Sequence, residues 1–192
     1  DHADRFQHTD RYAIPSKALI LESRGALGTA GNRLDGARAA SGYYRTTVKG
    51  RKWSLQAGMR TEWIRSFRRD WGAANPNRED VEVKYRSNQH LVVMPGVSAN
   101  VDLGEWRLFS GVHRGMSPAG SAEGVRPETS WNAEMGVAHK NRPLEITLYR
   151  SAYDRLLGAD AAAMGGTGSG DLFNGGKALV QGLEASWKIQ RK

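Results

Sequence analysis

The sequence contains no cysteine among its 192 residues. Disulfide frameworks, thiolate nucleophiles and cysteine-based metal sites are therefore excluded. No apolar run approaches the roughly 18–20 residues that a membrane-spanning helix needs. Residues 1–30 carry no apolar signal-peptide core, since the chain opens with the polar run Asp1-His-Ala-Asp-Arg5. These absences leave the compartment open, because a membrane can also be crossed by strands of about 9–11 residues that are apolar on one side only.

The composition is polar and basic. Hydrophobic residues make up 39% of the chain and the mean hydropathy is -0.59, values that fit a soluble domain and a transmembrane barrel equally well. The net charge of +8 favours a nucleic acid, an anionic lipid or lipopolysaccharide surface, or an anionic ligand as partner. Basic residues are spread through turns and loops, which argues against a dedicated nucleic-acid surface.

Alternation of apolar and polar residues is the main structural signal. In the segment around Trp131, the residues Trp131, Ala133, Met135 and Val137 fall on one face and polar residues fall on the other. A period of two indicates strands with one apolar face. Leu108 and Phe109 are consecutive apolar residues, so the phase of their strand stays open and a bulge could settle it. We predict strands over residues 40–48, 53–65, 90–103, 106–116, 130–140, 144–157 and 177–189, with a further short apolar piece at 18–21 that is either a packed turn or a strand fragment.

Short and long connections alternate along the chain. Short turns are predicted near 49–52, 104–105 and 141–143, and long loops near 14–38, 66–89, 117–129 and 158–176. Such alternation, in about eight long antiparallel strands, is typical of an outer-membrane barrel with brief periplasmic turns and long extracellular loops. Tryptophans at or near strand ends on the apolar side fit an interfacial aromatic belt, namely Trp53, Trp63, Trp106, Trp131 and Trp187. A soluble antiparallel sandwich or barrel, whose apolar face is a core, remains the alternative.

Several segments resemble the TonB-dependent outer-membrane receptors, in particular their ferric-citrate-receptor-like branch. The similar segments occur in family order: Asp4-Arg-Phe-Gln-His-Thr-Asp-Arg-Tyr12, Ala57-Gly-Met-Arg-Thr-Glu62, Leu108-Phe-Ser-Gly-Val-His-Arg-Gly-Met-Ser-Pro118, Pro127-Glu-Thr-Ser-Trp-Asn-Ala-Glu-Met-Gly136 and Asn174-Gly-Gly-Lys-Ala-Leu-Val-Gln-Gly-Leu-Glu184. The resemblance implies an all-β fold, with residues 1–192 forming about eight strands of a larger transmembrane barrel of the 22-strand type. Under this interpretation the family's plug domain and C-terminal strands are absent from the sequence.

The resemblance also implies a function and partners. It predicts energised uptake of a ferric siderophore or ferric citrate across the outer membrane of a Gram-negative bacterium. The expected partners are the ferric chelate as transported ligand, the TonB protein through the absent plug and its box, and membrane lipid with lipopolysaccharide. A nucleic-acid partner, a covalently bound cofactor and enzymatic activity are not expected. The alternatives are a small self-contained eight-stranded barrel with a structural, adhesive or pore role, and a basic soluble β-protein that binds nucleic acid.

Arginines on the side of the long loops are the candidate ligand residues, because a guanidinium forks onto the carboxylates of an anionic chelate. They are Arg11, Arg65, Arg68, Arg69, Arg86, Arg114 and Arg126. Each is equally compatible with a solvated loop position or with pairing to lipopolysaccharide phosphates. The five histidines lack metal-ligand spacing, so no metal site is predicted. The glycine-rich run at 165–170 lacks a phosphate-loop ending and is interpreted as a loop tip.

Overall fold

The computed structural model describes residues 2–13, 19–28, 31–161 and 170–187. Every regular element in these ranges is a β-strand. Within the described residues, no helix is long and apolar enough to cross a membrane. In chain order the strands are β1 (His2–Gln7), β2 (Arg11–Ala13), β3 (Ile20–Ser23), β4 (Gly31–Lys49), β5 (Trp53–Asp70), β6 (Lys84–Leu103), β7 (Trp106–Ser117), β8 (Glu128–His139), β9 (Leu144–Asp154), β10 (Leu157–Ala159), β11 (Leu172–Asn174) and β12 (Lys177–Trp187).

Eight of these strands form one sheet in the order β1-β4-β5-β6-β7-β8-β9-β12, while β2 with β3 and β10 with β11 form separate two-stranded hairpins. The pairs β1–β4, β6–β7, β7–β8, β8–β9 and β9–β12 are all antiparallel. Among the described residues, β1 and β12 are the two edges, and the sheet is not closed. The prediction of an all-β antiparallel fold with about eight long strands is confirmed.

The predicted alternation of connections is confirmed, with shifted boundaries. Three tight turns occupy 50–52, 104–105 and 140–143, and the longer connections occupy 8–30, 71–83, 118–127 and 155–176. The last long loop is longer than predicted, because β9 already ends at Asp154. The first two are shorter, because β4 already begins at Gly31, β5 continues to Asp70 and β6 begins at Lys84. Backbone pairing continues there through residues that are polar on both faces, so the hydrophobic period ends before the strand does.

Other boundaries also differ from the prediction. β9 ends at Asp154, and the predicted loop after it contains the β10–β11 hairpin. The short apolar piece is a strand fragment, β3, which pairs with β2. Several predicted features lie outside the described residues: Ala18 of that piece, Gly165–Ser169 of the glycine-rich run and the last two residues of the predicted strand 177–189.

The chain divides into two compact units. Unit 1 comprises Asp1–Ala39, Ile64–Gln89 and Gly120–Gly124, and unit 2 comprises Ala40–Trp63, His90–Ala119 and Val125–Lys192. In unit 1 the loop after β5 contacts β1 and the beginning of β4. In unit 2 the strands β7, β8, β9 and β12 pair along their whole described length.

Unit 2 has one apolar face and one polar face. The register places Trp131, Met135 and Val137 opposite Ala152, Leu148 and Ile146, and this side is called the apolar face below. Glu134 and Tyr149 pair on the other side, which is called the polar face. Apolar-face residues are exposed: Trp131 is 50% exposed, Met135 56% and Leu183 63%. The only buried hydrophobic residues in the described ranges are Val92 and Ala119, which argues against a soluble sandwich with a core.

The register settles the phase of β7 without a bulge. Leu108 pairs with Val137 on the apolar face, and Phe109 pairs with Gly136 on the polar face. The Phe109 ring lies over Gly136, where a Cβ would clash with it. Tyr149 covers Gly182 and Phe173 covers Gly158 in the same way, and both are again direct cross-strand pairs. In the main sheet and in the β10–β11 hairpin alike, these aromatic rings are accommodated by opposing glycines.

Tryptophans mark two levels on the apolar face. Trp53 and Trp106 begin their strands after tight turns, and Trp187 pairs with Leu144 at the same end of the sheet. Trp63 follows Trp53 by ten residues and lies inside β5, so its predicted place near a strand end is wrong, because β5 continues to Asp70. Trp131 is the fourth residue of β8. The spacing from Trp53 to Trp63 matches the roughly 9–11 residues of a transmembrane strand.

Backbone hydrogen bonds join neighbouring hairpins at the end of unit 2 that carries the three tight turns. Asp102 N donates to Lys52 O at 2.7 Å, and Lys140 N donates to Glu105 O at 2.7 Å. His139 also stabilises the third turn. Its Nδ1 accepts hydrogen bonds from the backbone N–H groups of Asn141 and Arg142, each at 3.1 Å. We call this end of unit 2 the turn end and the opposite end the loop end.

Candidate functional site

The loop end carries the longer connections, and it is where the candidate arginines were expected. Barrels of the outer membrane place their long loops outside the cell, which is why the candidate ligand residues are predicted at this end. In unit 1 the loop 71–83 folds onto β1 and β4. In unit 2 the connections 125–127 and 155–176 contact one another through Asn174.

Arg78 organises the loop of unit 1, and the sequence patterns gave no sign of it. Its two terminal nitrogens donate to the Asp4 carboxylate at 2.9 and 2.6 Å, and Nε donates to Asn32 Oδ1 at 2.8 Å. Its guanidinium also lies 4.9 Å from the Phe6 ring centroid and 4.8 Å from that of Trp71. Asp4 lies 74 residues away in sequence, so no local spacing could have revealed the pair.

Asn32 completes the attachment of this loop. It is buried, and its side-chain nitrogen donates to Gly72 O at 2.9 Å and to Asn75 O at 2.7 Å. Asn75 in turn accepts from Glu79 N at 3.0 Å and donates to the carbonyls of Glu79 and Val81. The hydrogen bonds from Arg78 hold the pKa of Asp4 below its usual range. The loop 71–83 is therefore attached to the strands of unit 1 by specific hydrogen bonds.

Two candidate arginines of unit 1 are already paired. Arg68 Nε donates to Asp35 Oδ1 at 2.5 Å, and Arg33 contacts the other Asp35 oxygen at 3.2 Å. Arg69 contacts the exposed Asp80 carboxylate at 3.0 Å and lies 5.3 Å from the Trp71 ring centroid. A carboxylate ligand at either arginine would compete with an existing acidic partner.

The other three candidates of unit 1 occupy different strands. Arg11 begins β2 and is exposed, and Arg86 lies near the start of β6. Arg65 is two residues beyond Trp63 in β5, so strand alternation places it on the same face as the tryptophan. Arg65 therefore lies on the side away from Arg60 and Glu62, which form an ion pair at 2.5 Å.

Unit 2 contains the remaining two candidates. Arg114 pairs with Trp131 on the apolar face, and its Nη1 donates to Val93 O at 3.2 Å. Arg126 has a fixed backbone, because its N–H donates to Asn174 Oδ1 at 2.9 Å and its carbonyl accepts from Asn174 Nδ2 at 2.9 Å. Its side chain is exposed, and no described residue forms an ion pair with it. Arg126 thus combines a fixed backbone with an exposed guanidinium that has no acidic partner among the described residues.

Unit 2 contains a concavity of about 450 Å³ that is lined by residues of both faces of the sheet. Three of its lining residues, Gly58, Gly96 and Gly111, have no side chain, and Glu134 and His113 add polar groups. No group of three or more potential metal ligands occurs in the described ranges. The arrangement offers scattered polar groups over a smooth backbone surface and no cluster that would hold a resident ion.

Comparison with known proteins gives one match. A family model described as TonB dependent receptor-like, beta-barrel, matches residues 6–190. No curated protein and no solved structure matches the chain. The family consists of receptors and transporters and not of enzymes. The matched region covers almost the whole chain, including seven of the eight strands of the main sheet in full and the last two residues of β1, so the chain belongs to the TonB-dependent receptor β-barrel family.

Proposed function

We propose that this protein takes part in the energised uptake of a ferric chelate, a ferric siderophore or ferric citrate, across the outer membrane of a Gram-negative bacterium. The family match over residues 6–190 is the observation that carries the proposal. The alternation of tight turns and long loops supports it, because it gives the sheet one periplasmic and one extracellular end. TonB supplies the energy, and the chelate is a transported ligand and not a bound cofactor.

The exposed apolar face supports a lipid environment. A soluble protein rarely leaves a continuous surface of residues such as Leu183, Met135 and Trp131 open to water. In a membrane the same residues contact acyl chains, and the tryptophans at two levels lie near the two interfaces. The polar face with Glu134 and Tyr149 then faces the barrel interior.

Among the candidate arginines, the contacts favour Arg126 as a ligand residue. Arg68 and Arg69 already have carboxylate partners, and Arg65 and Arg114 lie on the tryptophan side. The backbone of Arg126 is fixed by hydrogen bonds to Asn174, and its guanidinium is exposed. Binding of a carboxylate should therefore cost little additional conformational entropy. Arg11 and Arg86 remain secondary candidates on the loop side.

Uptake by living cells tests the function. Cells that lack the gene should take up less iron-55 from ferric citrate or from a ferric siderophore than cells carrying it. The difference should vanish when TonB is absent, since binding alone does not move the chelate. Equal uptake with and without the gene, across a panel of carboxylate and catecholate chelates, would exclude iron uptake as the function.

Binding to isolated outer membranes tests the role of Arg126. We expect Arg126→Gln to weaken binding of the transported ferric chelate about tenfold, since one charged hydrogen-bonding group is lost. Arg126→Lys should have an intermediate effect, because lysine keeps the charge and loses the fork. The matched control is Arg142→Gln at the turn end, which removes the same charge and should leave the affinity unchanged. Equal affinities for Arg126→Gln and Arg142→Gln would exclude Arg126 as a ligand residue.

A further inference from the structure

Two arginines interrupt the apolar face of unit 2. From the level of Trp106 to the level of Trp131, the apolar face of β7, β8, β9 and β12 carries only two residues that are charged at neutral pH, Arg114 and Arg150. No carboxylate occurs on this face between those levels. The sequence pattern had singled out Arg114 as a loop-side residue and had not singled out Arg150.

The two arginines lie on either side of one exposed tryptophan. Arg114 is the direct cross-strand partner of Trp131, and Trp131 is the partner of Ala152 in β9. Arg150 lies two residues before Ala152, so it is the diagonal neighbour of Trp131 on the same face. Direct pairs on one face are about 5 Å apart and diagonal pairs about 7–8 Å, within reach of long side chains. The three side chains therefore share one patch.

Neither guanidinium is neutralised by the protein. The side chain of Arg150 is exposed and makes no ion pair or hydrogen bond with any residue in the described ranges. Arg114 donates one N–H to the carbonyl of Val93, which orients the group and leaves other N–H donors open. A guanidinium on a lipid-facing surface is costly unless it reaches the interface and finds an anion there. The patch thus requires an anionic partner from the surroundings.

The position of the two arginines and Trp131 along the strands indicates which kind of anion can reach them. Arg150 is three alternations from Leu144, which pairs with Trp187 at the turn end, and only one alternation from the Trp131 level. Both side chains can extend toward the interface at the loop end. A phosphate matches the planar fork of arginine, and an amphiphile can lay its acyl chains on the adjacent Leu148 and Leu183.

We propose that Arg114, Trp131 and Arg150 form a binding site for the phosphate of an outer-leaflet glycolipid, the phosphorylated lipid portion of lipopolysaccharide. The site rests on the proposed orientation in the outer membrane, in which the loop end is extracellular. It is separate from chelate capture, because it lies on the side of the sheet away from the barrel interior. Trp131 supplies an amphipathic ring at the interface, and the two guanidinium groups bind the phosphate from either side.

Lipid retention tests the site in protein extracted from outer membranes with mild detergent. The test variant is Arg114→Gln/Arg150→Gln, and the matched control is Arg107→Gln/Arg142→Gln, which removes two arginines near the turn end. Lipopolysaccharide per protein molecule is measured by native mass spectrometry. We expect the test variant to retain about tenfold less glycolipid, the effect of losing charged hydrogen bonds to the phosphate. The control should retain as much as the unmodified protein.

Rebinding from defined mixtures distinguishes the sources of the phosphate. The probes are lipopolysaccharide, dephosphorylated lipopolysaccharide, phosphatidylglycerol nanodiscs and inorganic phosphate, each added to delipidated protein. Tight binding of lipopolysaccharide alone supports the proposal. Equal binding of the dephosphorylated form, or stronger binding of phosphatidylglycerol or inorganic phosphate, overturns it, as does unchanged retention in the test variant.

Folding is controlled separately. Folded barrels migrate faster than unfolded ones in unheated detergent gels, so each variant is first examined in this way. If the glutamine variant does not fold, Arg114→Lys/Arg150→Lys keeps both charges and removes the forks, and it should retain about threefold less glycolipid. Retention equal to that of the unmodified protein in the lysine variant would then contradict the proposal. Chelate uptake should be unaffected in Arg150→Gln, whose arginine is not a candidate chelate ligand, so this proposal and the proposed function can be tested separately.

Discussion

Arg78 shows how a single residue can order a long loop at the residue scale. It has a positive φ of 56°, a conformation that non-glycine residues rarely adopt, and it is held there by Asp4, Asn32 and two aromatic rings. The hydrogen bonds to its guanidinium are charge-assisted, which makes them stronger than neutral ones. Since the loop 71–83 rests on this cluster, its order should depend on the charge of Asp4.

The order of this loop should decrease in acid. The pKa of Asp4 is lowered by its hydrogen bonds with Arg78, so their stabilising effect is complete above the unfolded-state pKa of about 3.9 and is lost as pH falls through the lower folded-state value. Hydrogen-exchange protection of amides 72–81, corrected for intrinsic rates, should therefore be constant from neutral pH down to about 4 and decline below it. In Asp4→Asn, protection should be low at every pH. Protection that is independent of pH in both proteins would contradict this assignment.

At the element scale, the prediction from sequence succeeded where strands have one apolar face. The segments around Trp53–Met59 and Trp131–Val137 are strands in the predicted phase, because the two faces meet different surroundings. The prediction failed at 31–39, 66–70 and 84–89, where strands continue with polar residues on both faces. The hydrophobic period of a sequence depends on what the two faces of a strand contact. It does not indicate how far the backbone pairing of the strand extends. The Arg78 cluster was missed for a related reason, since contacts distant in sequence leave no local pattern.

Glycines that lie opposite aromatic residues on neighbouring strands are a packing feature of the elements that was not predicted from the sequence. At Gly136 a Cβ would clash with the Phe109 ring and lie 2.6 Å from Ile146 O, so Gly136→Ala should lower the free energy of unfolding by about 1–3 kcal/mol. The control is Gly42→Ala in β4, where a Cβ meets no atom within 4 Å and the smaller unfolded-state entropy should make the change neutral or stabilising by up to about 1 kcal/mol. Urea unfolding in lipid vesicles measures both. Similar stabilities for the two variants would contradict the packing argument.

At the scale of the whole molecule, the apolar and polar faces of the sheet determine which surroundings the protein needs. A sheet that exposes leucine, methionine and tryptophan on one face and carries Glu134 and Tyr149 on the other needs a different medium on each side. A lipid bilayer outside and a polar interior inside provide them. The candidate arginines have different surroundings: some are paired with carboxylates and others lie on the apolar face. The sequence could not distinguish these situations, because each depends on a neighbour that only the fold brings close.

Neighbouring positions of β9 should respond differently to a charge. Leu148 lies on the apolar face opposite Met135 and Leu183, while Thr147 lies on the polar face opposite Gly136 and Glu184. Leu148→Lys should lower the free energy of unfolding in lipid vesicles by about 2–4 kcal/mol, as expected for a lysine near the bilayer midplane. Thr147→Lys adds the same charge to the polar side and should cost about 1 kcal/mol or less. Equal costs would contradict the assignment of the faces.

The backbone hydrogen bonds that join neighbouring hairpins at the turn end have a mechanical consequence. Asp102 N with Lys52 O, and Lys140 N with Glu105 O, tie successive hairpins into a continuous collar at the turn end. One hairpin cannot tilt there without breaking a backbone bond to the next. Because β7, β8, β9 and β12 are also paired up to the loop end, unit 2 should deform as one stiff sheet and not hairpin by hairpin.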